Sequence, residues 1–89
     1  MANSTIKKPL TLKKNAIAAS ASATITNVSE GSLIFVTRSD KGLAVQGIID
    51  YYGYAPIQSH ANISLTYNSG SLTITNNGNY TVVYYIYLL

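Results

Sequence analysis

The last ten residues, YTVVYYIYLL at positions 80–89, form a strand pattern that is apolar on both faces. Side chains alternate across a strand, so one face consists of Tyr80, Val82, Tyr84, Ile86 and Leu88. The other face consists of Thr81, Val83, Tyr85, Tyr87 and Leu89. A strand of this kind needs cover on both sides, and the core of its own domain supplies cover on one.

A second copy of the chain is the expected cover for the other side, because small domains often use oligomerisation to bury enough apolar surface. We predict a homo-oligomer, with a trimer preferred over a dimer although both hide the same face. The predicted interface residues are Val83, Tyr85, Tyr87 and Leu89. A monomer whose terminal strand is central and internally covered on both sides stays open as the alternative.

Short apolar runs separated by turn residues continue back to about residue 23, and no helical periodicity competes with them. The predicted strands cover residues 23–28, 33–37, 43–54, 62–67, 71–75 and 80–89, with a bend or bulge at Gly47 or Gly53 and a loop at 55–61. Gly70 is expected at positive φ in one turn, and the Asn77-Gly78 pair predicts a hairpin before the last strand. The fold class is therefore all-β: a small β-sandwich or jelly roll of seven to eight short antiparallel strands.

The first twenty residues differ in composition from the rest of the chain. Their four lysines with no acid give +4, whereas Arg38 and Lys41 against three acids give the remainder −1. We predict a basic, extended arm at residues 1–20, in which Pro9 disfavours a helix, and a sandwich domain at 21–89. The arm is expected to dock onto a partner or a neighbouring subunit through Lys7, Lys8, Leu10, Leu12, Lys13 and Lys14. Binding of nucleic acid through these lysines is the weaker alternative.

Composition limits the chemistry available to the chain. Its 89 residues contain no cysteine, one histidine and three acids, which excludes disulfides and thiolate metal sites, and neither a metal site nor a cofactor is expected. No apolar run of about 18 residues predicts a membrane-spanning helix, and no secretory signal is visible. Charged residues make up only 10% of the chain, so uncharged polar residues and tyrosines, mainly Ser, Thr, Asn and Tyr, must supply most of its hydrophilic surface.

The order of segments carries a family resemblance. An apolar LIFV strand, a loop ending at Gly42-Leu43, an aromatic strand, the hairpin through Ile63–Thr66 and Gly70–Asn77, and the aromatic strand Tyr80–Leu89 follow one another. This pattern, over residues 23–89, resembles the small jelly-roll, tumour-necrosis-factor-like head and tip domains of bacteriophage tail-fibre and baseplate-associated proteins. The resemblance implies a trimer and a virion location after synthesis in the bacterial cytoplasm. It also implies a non-enzymatic structural or tip component of a phage or prophage that is attached to another virion protein through its arm.

A recognition module for cell-surface glycan is the alternative function, and a nucleic-acid-binding capsid-type protein is a weaker one. Tyrosine rings stack on sugars and their hydroxyls hydrogen-bond, so the candidate ligand-binding residues are Asp50, Tyr51, Tyr52, Tyr54, Gln58, His60 and Asn62. The alternative for these tyrosines is a place in the core or in an interface. A catalytic set of Asp50, Ser59 and His60 lacks a nucleophile elbow, so no catalytic residues are predicted.

Overall fold

The computed structural model describes residues 11–89, and for Thr11 the backbone alone. These residues form eight antiparallel strands: β1 Thr11–Ile17, β2 Ser22–Ile25, β3 Leu33–Arg38, β4 Gly42–Asp50, β5 Gly53–Gln58, β6 Ile63–Asn68, β7 Ser71–Asn76 and β8 Val82–Leu88. A five-stranded sheet has the order β1-β8-β3-β4-β5, and a three-stranded sheet has the order β2-β7-β6. The predicted all-β sandwich is confirmed. No helix in residues 11–89 is long and apolar enough to cross a membrane.

The strand order combines two kinds of connection. The first two strands pair with the last two in reverse order, β1 with β8 and β2 with β7, as in a jelly roll. The middle of the chain instead runs as a meander, because β3, β4 and β5 are consecutive neighbours in one sheet. The first and last segments of the domain are thereby held together, with β1 and β2 each at an edge of its sheet.

The core lies between the two sheets and follows the period-2 pattern of the sequence. In β8, Val82, Tyr84 and Ile86 point inward and are at most 5% exposed. They meet Leu72 and Ile74 of β7, which have no exposed surface. The alternation predicted for the terminal strand is therefore present over β8, whereas Tyr80 precedes the strand and is 54% exposed.

The predicted single strand over 43–54 is wrong, because the chain reverses at Tyr51 and Tyr52 and returns as β5. Asp50 makes this turn possible: its Oδ1 accepts a hydrogen bond of 2.8 Å from the Tyr52 amide. Gly53 follows at φ 119°. Tyrosine favours strands over turns, so the residue types at positions 51 and 52 do not predict a reversal of the chain there. The register shifts between Gln46 and Gly47, near the predicted bulge, but their partners are Gln58 and Pro56, so the extra residue is Ile57 of β5 and not Gly47.

The hairpin predicted at Asn77-Gly78 is also wrong, because β7 and β8 belong to different sheets. The buried side chain of Asn76 directs the crossover. Its Nδ2 donates to the Ile17 carbonyl at 2.8 Å and to the Tyr80 carbonyl at 2.9 Å. Its Oδ1 accepts from the Gly78 amide at 2.9 Å. Local Asx bonding therefore replaces the expected hairpin turn.

The turn between β6 and β7 agrees with its prediction. Ser69 and Gly70 have φ values of 48° and 88°. Positive φ at both central residues is the signature of the type I′ turn that favours two-residue hairpins. The Tyr67 hydroxyl, in the preceding strand, donates to the Val28 carbonyl at 2.6 Å and ties this turn to the loop before β3.

The predicted arm differs from the structure in its described part. Residues 11–17 are extended, as expected, but they pair with β8 along their whole length and form an edge of the five-stranded sheet. Ile17 is 3% exposed and belongs to the core, so the domain begins before the predicted boundary at residue 21. Lys7, Lys8 and Leu10 lie outside the described residues.

Candidate functional site

The five-stranded sheet has an apolar surface on the side away from the three-stranded sheet. We call this surface the outer face and define it by Leu12, Leu33, Phe35, Leu43, Ile48, Val83, Tyr85, Tyr87 and Leu89, which alternate with the inward-pointing residues of their strands. The four residues predicted for an oligomer interface all lie on it.

Cross-strand register makes the outer face continuous. Tyr87 of β8 lies opposite Leu12 of β1 on one side and Phe35 of β3 on the other. One row further along, Tyr85 lies opposite Lys14, whose Nζ is 5.8 Å from the centre of the tyrosine ring. On β3 and β4 the same two rows continue through Thr37, opposite Tyr85, and Gln46, opposite Phe35. Side chains opposite each other in antiparallel strands touch, so these rows form a mainly apolar layer that also carries Thr37, Gln46 and, at its edge, Lys14.

Within the described part of the chain, no strand covers the outer face, because the second sheet packs on the opposite side of the first. Leu12, Leu43 and Leu89 are 54%, 50% and 40% exposed, and the aromatic residues between them are half-buried by their neighbours in the sheet. Five strands of about six residues give a surface of roughly 20 by 20 Å, or about 400 Å². Patches of this size on monomers are often functional.

The outward side of the three-stranded sheet is chemically opposite. It carries only uncharged polar side chains, namely Ser22, Thr24, Ser64, Thr66, Asn68, Ser71, Thr73 and Thr75. Cross-strand hydroxyls pair on it, with 2.7 Å between Ser22 and Thr75 and 3.3 Å between Thr24 and Thr73. The sandwich therefore has one mainly apolar face and one face of uncharged polar side chains, and the second is the more favourable one to expose to water.

The predicted ligand residues do not form a single site. Asp50, Tyr51 and Tyr52 lie at the β4–β5 turn, whereas Gln58, His60 and Asn62 lie at the far end of β5 and in the turn after it. A six-residue strand separates the two groups by about 20 Å. Asp50 and His60 are likewise too far apart to belong to one catalytic set. At the second turn, His60 Nδ1 accepts a bond of 3.1 Å from the Asn62 amide.

Tyr54 lies in the interior between these two groups. Its ring packs directly over Gly47, in the space that a Cβ at that position would occupy. The Tyr54 hydroxyl is buried with no hydrogen-bond partner among the described residues, and this burial raises the pKa of the phenol. The ring forms one wall of a cleft of about 350 Å³ between β5 and β6, whose other walls include Val45, Pro56 and Leu65. Tyr54 therefore fills the space over Gly47 and presents no accessible hydroxyl at the surface.

Tyr51 and Tyr52 are instead almost fully in solvent. They are 80% and 91% exposed, and their ring centres lie 5.1 Å apart with an angle of 84° between the ring planes. We call this pair, with Asp50, the Tyr51–Tyr52 tip. Of the tyrosines predicted to bind ligand, these two are the ones accessible to a ligand.

A charged cluster that no sequence pattern predicts lies at the opposite end of the sandwich. Arg38 is 5% exposed and holds Asp40 through two hydrogen bonds of 3.0 Å, from Nε to Oδ1 and from Nη2 to Oδ2. The Tyr80 hydroxyl accepts from Arg38 Nη2 at 3.1 Å and lies 3.2 Å from Asp40 Oδ2. The guanidinium lowers the pKa of the Asp40 carboxyl, and the carboxylate raises the pKa of Arg38. The cluster ties the β3–β4 turn to the segment before β8.

Comparison of the chain with protein-family models, curated proteins and solved structures finds no match. The resemblance to phage head and tip domains therefore stays a prediction from the order of the strands.

Proposed function

We propose that this protein is a non-enzymatic structural component that assembles with copies of itself through the outer face. The observation that carries the proposal is the contrast between the two outward faces of one sandwich. The outer face presents leucine, phenylalanine and tyrosine, and the other face presents hydroxyl and amide groups. Because apolar burial drives most protein association, the outer face is the one that a second copy covers.

The size of the outer face sets the strength expected of this association. Two flat faces of about 400 Å² bury about 800 Å² in contact, which is below the roughly 1,200–2,000 Å² of standard specific interfaces. The exposed side chains at the rim, Leu12, Leu43 and Leu89, extend the buried area beyond the flat sheet. We expect assembly at micromolar concentration. Two faces in full contact would give a dimer, but the resemblance to trimeric tip domains favours three copies, in which each outer face is shared between two neighbours.

The proposed setting is a virion, in which the assembled domains are attached to another protein through residues 1–10. Thr11 is the first residue of β1 and lies opposite Leu88, so residues 1–10 are connected to the sandwich through this strand, which is an edge strand among residues 11–89. The edge carries Lys13 and Lys14, both exposed, and Lys7 and Lys8 precede them in the sequence. A basic segment next to a sheet edge suits docking onto an acidic partner protein.

Light scattering on the full-length protein at micromolar concentration tests the assembly. The informative variant is Tyr87→Lys, which places a charge at the centre of the row between Leu12 and Phe35. The matched control is Thr73→Lys, which places the same charge on the outward side of β7, the central strand of the other sheet. We expect oligomers for the wild type and Thr73→Lys, and monomers for Tyr87→Lys. A monomeric wild type, or equal masses for the two variants, would contradict the proposal.

A further inference from the structure

The Tyr51–Tyr52 tip combines large aromatic surface with a fixed backbone. Both rings project from a hairpin and are at least 80% exposed. The hairpin itself is held by the 2.8 Å bond from the Tyr52 amide to Asp50 Oδ1 and by the pairing of Asp50 with Gly53. A tip whose backbone is already fixed loses little further freedom on binding, which favours recognition.

The arrangement of the two rings creates a corner. With their planes at 84° and their centres 5.1 Å apart, one ring can present its face while the other forms a wall beside it. The C–H face of a pyranose packs against an aromatic face, and the phenolic hydroxyls can exchange hydrogen bonds with the sugar. Asp50 Oδ1 is used by the turn, whereas Oδ2 has no partner among the described residues and can accept from a sugar hydroxyl.

Charge at the tip selects among possible ligands. Its single charged group is the Asp50 carboxylate, in the segment Ile49–Tyr54. Arg38 and Lys41 lie beyond the far end of the nine-residue strand β4, about 30 Å away. Lys13 and Lys14 lie on β1, four strand spacings or about 19 Å across the sheet. Among residues 11–89, the charge within this segment is therefore negative, and it repels an anionic sugar, a nucleic acid or an anionic lipid surface.

From these observations we infer that the Tyr51–Tyr52 tip is a binding site for neutral oligosaccharides, in particular β-linked glucose-type chains whose rings expose a flat C–H face. This narrows the seven predicted ligand residues to Asp50, Tyr51 and Tyr52. The site uses no residue of the outer face, so it does not rest on the proposed self-assembly.

Calorimetric titration of the full-length protein with chitohexaose, cellohexaose and maltohexaose tests the inference. We expect one or both β-linked hexasaccharides to bind, and maltohexaose to bind more weakly. The double variant Tyr51→Ala/Tyr52→Ala should weaken binding about tenfold or more, because it removes the stacking surface. The double variant Tyr51→Phe/Tyr52→Phe should stay within about threefold of the wild type, because it keeps the rings.

Ile57→Ala is the matched control, because Ile57 is 63% exposed on β5 but lies away from the tip. The affinity of Ile57→Ala for the hexasaccharides should equal that of the wild type. Absence of binding by the wild type to all three hexasaccharides would overturn the inference, and so would equal affinities for the alanine double variant and the wild type. Light scattering on the same samples separates a failure of this site from a failure of assembly, because the tip variants should keep the mass of the wild type.

Discussion

The side-chain amide of Asn76 donates a 2.8 Å hydrogen bond to the backbone carbonyl of Ile17, 59 residues earlier in the chain. The bond joins the end of the edge strand β1 to the point where the chain leaves the three-stranded sheet. Asn76 is 1% exposed, and its side chain also serves the Tyr80 carbonyl and the Gly78 amide. One buried amide therefore sets the path of the crossover from β7 to β8.

Asn76→Ala should reduce the free energy of unfolding by about 2–4 kcal/mol, because it removes the partners of one buried and two partly buried backbone groups. Urea denaturation followed by circular dichroism measures this change. Asn68→Ala is the matched control, since Asn68 is exposed on the outward side of β6, and it should change stability by less than about 0.5 kcal/mol. Equal effects of the two substitutions would mean that the crossover does not depend on Asn76.

The Arg38–Asp40 pair predicts a dependence of stability on pH. Hydrogen bonding by Arg38 lowers the pKa of Asp40 in the folded state below its ordinary value of 3.8. A carboxyl with a depressed folded pKa stabilises the protein above its unfolded pKa, and this contribution is lost as the pH falls toward the folded value. As the pH is lowered below about 4, the urea concentration at the unfolding midpoint should therefore decrease, and this decrease should be steeper in the wild type than in Asp40→Asn.

Glu30→Gln is the control for this measurement, because Glu30 forms no ion pair among the described residues. It should keep the acid dependence of the wild type. If Asp40→Asn instead shows the same loss of stability as the wild type below about pH 4, the ion pair is not its source.

Contact between Gly47 and Tyr54 predicts a coupled pair of substitutions. A Cβ at position 47 would occupy the space of the Tyr54 ring, so Gly47→Ala should destabilise the protein by about 1–3 kcal/mol through displacement of that ring. In Tyr54→Ala the obstacle is gone, and Gly47→Ala should then cost much less. A double-mutant cycle from urea denaturation measures the coupling. Additive effects would show that the methyl group fits without moving the ring.

The alternation of inward and outward side chains along the strands was the part of the fold that could be predicted from the sequence. The inward and outward sets of the terminal strand and the Ser69-Gly70 turn follow from local rules of alternation and turn chemistry. These rules concern neighbours in the sequence, and they were sufficient to place Val83, Tyr85, Tyr87 and Leu89 on one outward face.

The predictions that were wrong or missing concern segments whose local structure is decided by residues distant in the sequence. Asn77-Gly78 has a strong hairpin signal, yet the bonds of Asn76 to Ile17 and Tyr80 carry the chain across to the other sheet. The ligand residues around β5 are close in sequence, but the reversal at Tyr51 and Tyr52 puts a whole strand between them. Arg38 and Tyr80 are separated by 42 residues, and no short-range pattern predicts their contact.

The segment 1–20 gives the clearest case, because a lysine-rich, low-complexity stretch resembles a free arm but residues 11–17 form an edge strand. Lysines on an edge strand discourage pairing with other chains, while the other side of the strand still provides hydrogen-bond partners for the backbone of β8. This structure predicts different results for two truncations. Removal of residues 1–10 should leave the melting temperature and the oligomeric mass unchanged, because β1 remains in place.

Removal of residues 1–20 should lower stability by several kcal/mol or cause aggregation. It deletes buried Ile17, leaves one side of β8 without a hydrogen-bonded neighbour and removes the Ile17 carbonyl that Asn76 binds. Thermal unfolding and light scattering on both truncated proteins measure these effects. A shorter protein starting at Ala21 that melts and assembles like the full chain would show that β1 is dispensable and that the domain boundary lies at residue 21 after all.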